Sequence, residues 1–258
     1  MTLQTSETTE RLRQGDISYV SLWVPDIQRA AAFFAGVLGW RYAPGDAGPA
    51  LQVQGQSLSQ GLTQLQESAA FLAGLGLPLS AASTPTAYVV FVVQSLDASI
   101  ERVRAAGGWA GEPLDQPYGR VAACADDQGM PFSLHEVPAG MPAPRPRDGH
   151  QGDVAYLTFE VRDSARARAF FGSALGWEFR PGRVADGWQI ADVVPMSGLS
   201  GGHPRTTIVP MYRVDDIVRA VEQVRARGGE ATEPNPQPYG ITSDCTDDQG
   251  TRFYLGQF

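Results

Sequence analysis

Apolar and polar positions alternate through Ile17–Val24: Tyr19, Ser21 and Trp23 share one face, Val20, Leu22 and Val24 the other. That is the pattern of a half-buried strand. Pro25-Asp26 breaks it, and Asp26 is placed to cap a following helix. The period then changes. Ala30, Phe33, Phe34, Val37 and Leu38 fall three and four residues apart, an apolar helical stripe that Gly39 should terminate. A return strand begins at 40–42, and 51–53 and 61–65 read as weaker strands.

The same course is run again. GDISYVSLWVPDIQRAAAFFAGVLGWRY at 15–42 returns as GDVAYLTFEVRDSARARAFFGSALGWEF at 152–179, with thirteen of twenty-eight positions identical at an offset of 137. A duplicated structural unit follows. Between the copies, YVVFVV at 88–93 reads as a buried strand, 95–106 as a helix stopped by Gly107-Gly108, and 120–125 and 131–136 as strands joined by the turn DDQG. Its counterpart lies 121 residues on: strand 207–214, helix 216–227, stop Gly228-Gly229, with QPYG and DDQG repeated and Cys124 answered by Cys245. The difference of 16 residues is most simply a loop at 68–85 that the second half lacks. The expected layout is a polar tail at 1–14, a first unit pair at 15–137, a Pro-rich linker at 138–151 and a second pair at 152–258.

Strand, helix and three strands, used four times in tandem pairs, resembles the vicinal oxygen chelate superfamily of glyoxalase I, bleomycin-resistance proteins, fosfomycin-resistance enzymes and extradiol dioxygenases. The residues that carry the resemblance are Phe33, Phe34 and Leu38 to Trp40, repeated at Phe170, Phe171 and Leu175 to Trp177. VDD with its helix and GG stop at Val214 and Gly228, and GR…DDQG at 119–129, match further family motifs. The resemblance implies an α+β fold of four βαβββ modules, paired into two half-open barrels whose concave faces hold ligand. Whether modules pair within or across the halves is open at this point.

The resemblance also implies where a divalent ion would be held in the family's metal enzymes. Those positions fall on Tyr19 and Tyr156, on Tyr88 and about Val209, and on Ser133 and Tyr254. Phenols, a hydroxyl and an apolar side chain are poor substitutes for imidazole and carboxylate. No metal and no other cofactor is therefore expected. The reading is a metal-independent binder of a small apolar or aromatic molecule. Its first cup would be lined by Tyr19, Ser21, Trp23, Tyr88 and Ser133, its second by Tyr156, Thr158, Glu160 and Tyr254. The alternative is a metal-free lyase, isomerase or hydroxylase-like enzyme of secondary metabolism, with a metal-dependent lyase or dioxygenase behind it. For such an enzyme Tyr19, Glu160 and His135 are the catalytic candidates: Tyr19 as a weak acid, His135 as a base on the face of Ser133, and Glu160 as a strand carboxylate that burial would turn into a base.

Other features read as structure. Tyr118 and Tyr239 are lids or self-anchoring turns, Cys124 and Cys245 small core residues, Trp40, Trp177, Phe33 and Phe170 core, and the two Asp-Asp pairs solvated turn residues. Ser21 answers to Thr158, Trp23 to Glu160 and Ser133 to Tyr254, so the two cups are expected not to be equivalent. The net charge of −8, with no basic block, argues against nucleic acid or an anionic membrane as partner. No apolar run is long enough to span a bilayer, and two cysteines cannot build a disulfide framework. A cytoplasmic monomer or homodimer is expected.

Overall fold

The computed structural model describes residues 11–45, 50–66, 70, 73, 86–138 and 149–258. Most of the expected tail, of the 68–85 loop and of the 138–151 linker lies outside the described residues. The first half contributes β1 (Ile17–Val24), β2 (Arg41–Pro44), β3 (Ala50–Gln54), β4 (Ser59–Gln64), β5 (Thr86–Val93), β6 (Trp109–Ala110), β7 (Leu114–Gln116), β8 (Gly119–Ala125) and β9 (Pro131–Glu136). They form one sheet in the order β2-β3-β4-β1-β5-β9-β8-β6, with β7 on β8. The second half repeats that order with β10 (Val154–Glu160), β11 (Phe179–Pro181), β12 (Gly187–Ile190), β13 (Ser197–Ser200), β14 (Thr207–Arg213), β15 (Glu230–Ala231), β16 (Asn235–Gln237), β17 (Gly240–Thr246) and β18 (Arg252–Gln257). Two βαβββ modules meet antiparallel in each sheet, along β1–β5 and β10–β14. Pairing is therefore within each half, and the sheets are open. The short strands β6, β7, β15 and β16 went unread in the sequence because two or three residues carry no period.

Four helices of ten residues or more accompany the sheets among the described residues: α1 (Ile27–Leu38), α2 (Leu96–Ala105), α3 (Ser164–Leu175) and α4 (Ile217–Ala226). Asp26 caps α1 by accepting from the N–H groups of Gln28 and Arg29, and Asp163 caps α3 through Arg166 N–H. Burying the apolar stripe of α1 joins the two halves. Phe34 lies 5.3 Å from Phe253 on β18 and 6.2 Å from Tyr212 on β14. On the opposite side Phe171 of α3 lies 6.0 Å from both Phe91 on β5 and Phe132 on β9. Each of these helices packs on the sheet of the other half, so one continuous core runs through the molecule. The expected core residues Phe33, Trp40, Phe170 and Trp177 are all buried in it.

Polar contacts repeat the exchange. Gln249 receives the N–H of Asp26 and donates to its carbonyl, and Gln128 does the same with Asp163. Arg29 pairs with Asp248 and Arg166 with Asp127, across the halves in both cases. The DDQG turns are thus docking turns, which corrects the solvated reading of their aspartates. Asp126 and Asp247 are 4% and 3% exposed and tie the turn by accepting backbone N–H groups, from Gln128 and Met130 and from Gln249 and Thr251 respectively.

Candidate functional site

Alternation divides each sheet into a core face and a face turned away from the helices. On β1 the core takes Val20, Leu22 and Val24, leaving Tyr19, Ser21 and Trp23 on the opposite face, where Ser21 and Trp23 are buried as well. The ladder places Ser21 opposite Tyr88, and Val90 beside Ser133. All five residues expected to line the first cup therefore share one surface. Trp23 stacks on Tyr88 with ring centroids 4.9 Å apart and planes 15° from parallel. Ala125 completes this cluster, and the half-buried Leu65, Val90 and Trp109 pack against it. The polar groups are neutral and paired: Ser21 Oγ with Thr63 Oγ1, and Tyr88 Oη with Ser133 Oγ, both at 2.7 Å. Burial, only partly offset by that bond, pushes the Tyr88 phenol above its usual range, so it stays protonated. His135 sits at the end of β9, its Nε2 3.0 Å from the Tyr118 carbonyl and its Nδ1 3.4 Å from Ser18 Oγ. Its ring also meets that of Tyr118 edge-on, with centroids 5.7 Å apart.

The second cup keeps the scaffold and changes the chemistry. Tyr156, Thr158 and Glu160 share the open face of β10, and Tyr254 joins them through its register with Met211, itself opposite Tyr156. Where Trp23 stands in the first cup, Glu160 stands here, 5% exposed. Arg252 grips it with two hydrogen bonds, Nη1 to Oε2 at 2.6 Å and Nη2 to Oε1 at 2.8 Å, and Thr207 donates to Oε2 at 2.9 Å. The residue at the position of Arg252 in the first half is Pro131, so the cationic partner of Glu160 has no counterpart there. Burial by itself raises the Glu160 pKa, but the hydrogen bonds from Arg252 and Thr207 and the Arg252 charge outweigh it. The net shift is downward. Glu160 is a held carboxylate, which corrects the expectation of a raised-pKa base. Tyr254, beside it, is pushed up to about 12 by burial and by the Glu160 charge.

One packing device is common to both cups. The hydroxyl of Tyr19 lies over Gly61 and that of Tyr156 over Gly198, where any Cβ would fall within about 2.2 Å and 2.0 Å of the oxygen. The two glycines are 137 residues apart, a sequence signal that was available and passed over. His203, in the loop after β13, also reaches this cup. Its Nδ1 lies 3.6 Å from Glu160 Oε2 and its Nε2 3.1 Å from Ser200 Oγ.

Several candidates stand apart. Cys124 and Cys245 are buried, their thiols pushed up by burial to about 12 and about 11, the behaviour of core residues. Tyr118 and Tyr239 are exposed, Tyr239 stacking on Phe258 at 6.4 Å. Two clefts, of about 370 Å³ beside Ser95, Arg102 and Gly176 and about 490 Å³ beside Gly39, Asp216 and Arg227, lie at the helix junctions and include none of the cup residues. The positions that hold metal in the family carry Tyr19, Tyr88 and Ser133 here, and Tyr156, Val209 and Tyr254. Among the described residues no group of three His, Cys, Asp or Glu comes together. This donor set does not fit such an ion. No helix of the described residues is long and apolar enough to cross a membrane.

Two open mixed sheets, each with the helices on one face and the tyrosine-bearing side of its strands on the other, define the class of this α+β protein. Residues 19–135 match the Glyoxalase-like domain family. Along its whole length the chain resembles the 2,3-dioxygenase LapB from Pseudomonas sp. KL28 (TM-score 0.63, 14% identity, 97% of this chain and 93% of that one). It also resembles the Mn(II)-bound glyoxalase from Novosphingobium aromaticivorans (TM-score 0.67, 16% identity, 95% and 82%). Residues 19–135 therefore form a glyoxalase-like domain, and the chain as a whole shares the fold of these dioxygenase and glyoxalase structures. In sequence it is 26% identical, over 94% of its length and 93% of the other's, to the anthracycline biosynthesis protein DauV of Streptomyces sp. (strain C5).

Proposed function

We propose that this protein binds a flat, apolar aromatic molecule of secondary metabolism in its first cup, without a metal, as a cytoplasmic monomer or homodimer. The observation that carries the reading is the Trp23–Tyr88 stack with Trp109, Leu65 and Val90 packed on it and only neutral hydroxyls around it. Aromatic faces with a few fixed hydroxyls hold planar ligands by stacking and orient them by hydrogen bonds. Similarity to a protein named for anthracycline biosynthesis supports a fused-ring ligand. The test is a fluorescence titration of the purified protein with a tetracyclic anthraquinone. Saturable binding, weakened at least about tenfold by Trp23→Leu, supports the reading; equal affinity in both proteins, or no binding, overturns it.

A second reading, a metal-free lyase, isomerase or hydroxylase-like enzyme, is favoured by the second cup, where Glu160, Arg252, His203 and Tyr254 surround one point. Conversion of the bound aromatic, lost in Tyr19→Phe or Glu160→Gln while binding survives, would establish turnover and end the pure-binder reading.

A further inference from the structure

We infer that Ser200, His203 and Glu160 form a nucleophile–base–carboxylate relay in the second cup, able to take the acyl group of an ester or thioester. The inference is independent of the ligand of the first cup.

Three elements deliver the three groups. Glu160 ends β10 and Ser200 ends β13, directly opposite each other in the parallel ladder. Gly202, at φ 81°, then makes the turn that brings His203 back over both. Backbone bonds fix that turn: Gly202 N–H to the Arg162 carbonyl at 3.2 Å and His203 N–H to the Val161 carbonyl at 3.1 Å. The imidazole consequently has one nitrogen toward a carboxylate (Nδ1 to Glu160 Oε2, 3.6 Å) and the other on a hydroxyl (Nε2 to Ser200 Oγ, 3.1 Å). With the Nδ1 proton facing Glu160, the Nε2 lone pair faces the serine hydroxyl, the polarity a base needs. Glu160 is in turn anchored by Arg252 and Thr207, so its position is set before any ligand arrives.

The first half argues that this is more than chance proximity. The same positions there hold Trp23, Thr63 and Gln66, and Pro131 stands for Arg252. All three members of the relay, and the arginine that anchors its acid, are found in one copy and absent from the other, while Thr207 keeps its counterpart Thr86. Accessibility agrees with the assignment: Glu160 is buried, whereas Ser200 and His203 are partly exposed.

In the reaction the Ser200 Oγ–H proton passes to His203 Nε2 as Oγ bonds to the acyl carbon. Collapse of the tetrahedral adduct breaks the bond to the alcohol or thiol, which leaves with that proton. Water then adds to the acyl-serine, giving a proton to His203, and release of the carboxylic acid restores Ser200. Ser200 and His203 touch reacting atoms; Glu160 is a positioning residue. Arg252 places a cation beside the site.

The test uses a fluorophosphonate probe on the whole protein, followed by intact mass and peptide mapping. One adduct on Ser200 is expected, lost in Ser200→Ala and slowed at least about tenfold in His203→Gln. Glu160→Gln should slow labelling, and Glu160→Asp, which keeps a carboxylate toward Nδ1, should restore part of the rate. A purely structural Glu160 would leave the labelling rate of the folded variants unchanged. Absence of a Ser200 adduct in the wild-type protein, or labelling unchanged by His203→Gln, would overturn the inference.

Discussion

The indole N–H of Trp40 donates to the Gly152 carbonyl at 3.1 Å, 112 residues away, and Trp177 makes the matching bond to Gly15 at 3.1 Å. Both indoles are buried where the halves interlock. Trp40→Phe or Trp177→Phe keeps most of the ring packing and deletes the donor. Each should cost about 1–2 kcal/mol in urea unfolding. One loss of signal, shared by probes in both halves, is expected, because a single core serves both sheets. Two separate transitions would contradict that.

Asp126 is buried, and one of its oxygens has no hydrogen-bond partner. Burial raises its pKa from 3.8 to about 6, against the backbone N–H groups it accepts. A raised carboxylate holds its proton in the folded protein over a range where the unfolded chain has lost it. It therefore lowers stability as pH rises from about 4 to about 6, by roughly 2–3 kcal/mol. Asp126→Asn retains an acceptor for Gln128 and Met130 and removes the charge. The variant should melt higher than wild type at pH 7, with the gap closing toward pH 4.

Glu160 should behave in the opposite sense. Its folded pKa is held below the ordinary value of 4.5, so its ion pair contributes stability above that pH and loses it as pH falls through the lower folded value. Arg252→Met strands the buried carboxylate. A loss of about 1–3 kcal/mol at pH 7 is expected, below the range for a fully buried pair because Arg252 is half exposed. The deficit should shrink on acidification, as read by melting temperature across pH 3–7.

Gly198→Ala should displace the Tyr156 hydroxyl that lies over it. A cost of about 1–3 kcal/mol is expected, part of it recovered when Tyr156→Ala is added. No recovery in the double variant would place the strain instead at the Trp188 carbonyl, which a Cβ would approach to 3.0 Å.

Metal content is checked directly. Added Zn(II), Mn(II), Ni(II) or Fe(II) should leave the melting temperature of untagged protein unchanged, because Tyr19, Tyr88 and Ser133 do not make a divalent site. A stoichiometric metal with a stabilising shift would show that the family's ligand positions lie on other residues.

The strands and helices were legible because the apolar period is local: the stripe Phe33, Phe34, Val37 needs only its own neighbours to be read. The repeat then gave the module plan, and the shared face of Tyr19, Ser21 and Trp23 followed from alternation. Contacts between copies were not legible. Nothing in Gln128 or Gln249 announces a partner at Asp163 or Asp26, so their turns read as solvated. Glu160 was placed on the right face with the wrong proton affinity, because Arg252 lies ninety-two residues on and only the fold brings it near. The histidine expected to matter was His135, on a strand. His203 sits in a loop, and its one signal was indirect: Ser200 and His203 occupy positions held by Thr63 and Gln66 in the first copy.

The reciprocal packing of α1 and α3 has an evolutionary consequence. Matching contacts made in both directions are those of a twofold-symmetric dimer, here tied into one polypeptide. In a dimer of identical chains, every substitution in a binding site is imposed on both sites at once. Fusion removes that constraint, and a tryptophan in one cup can become a glutamate in the other without either change being copied.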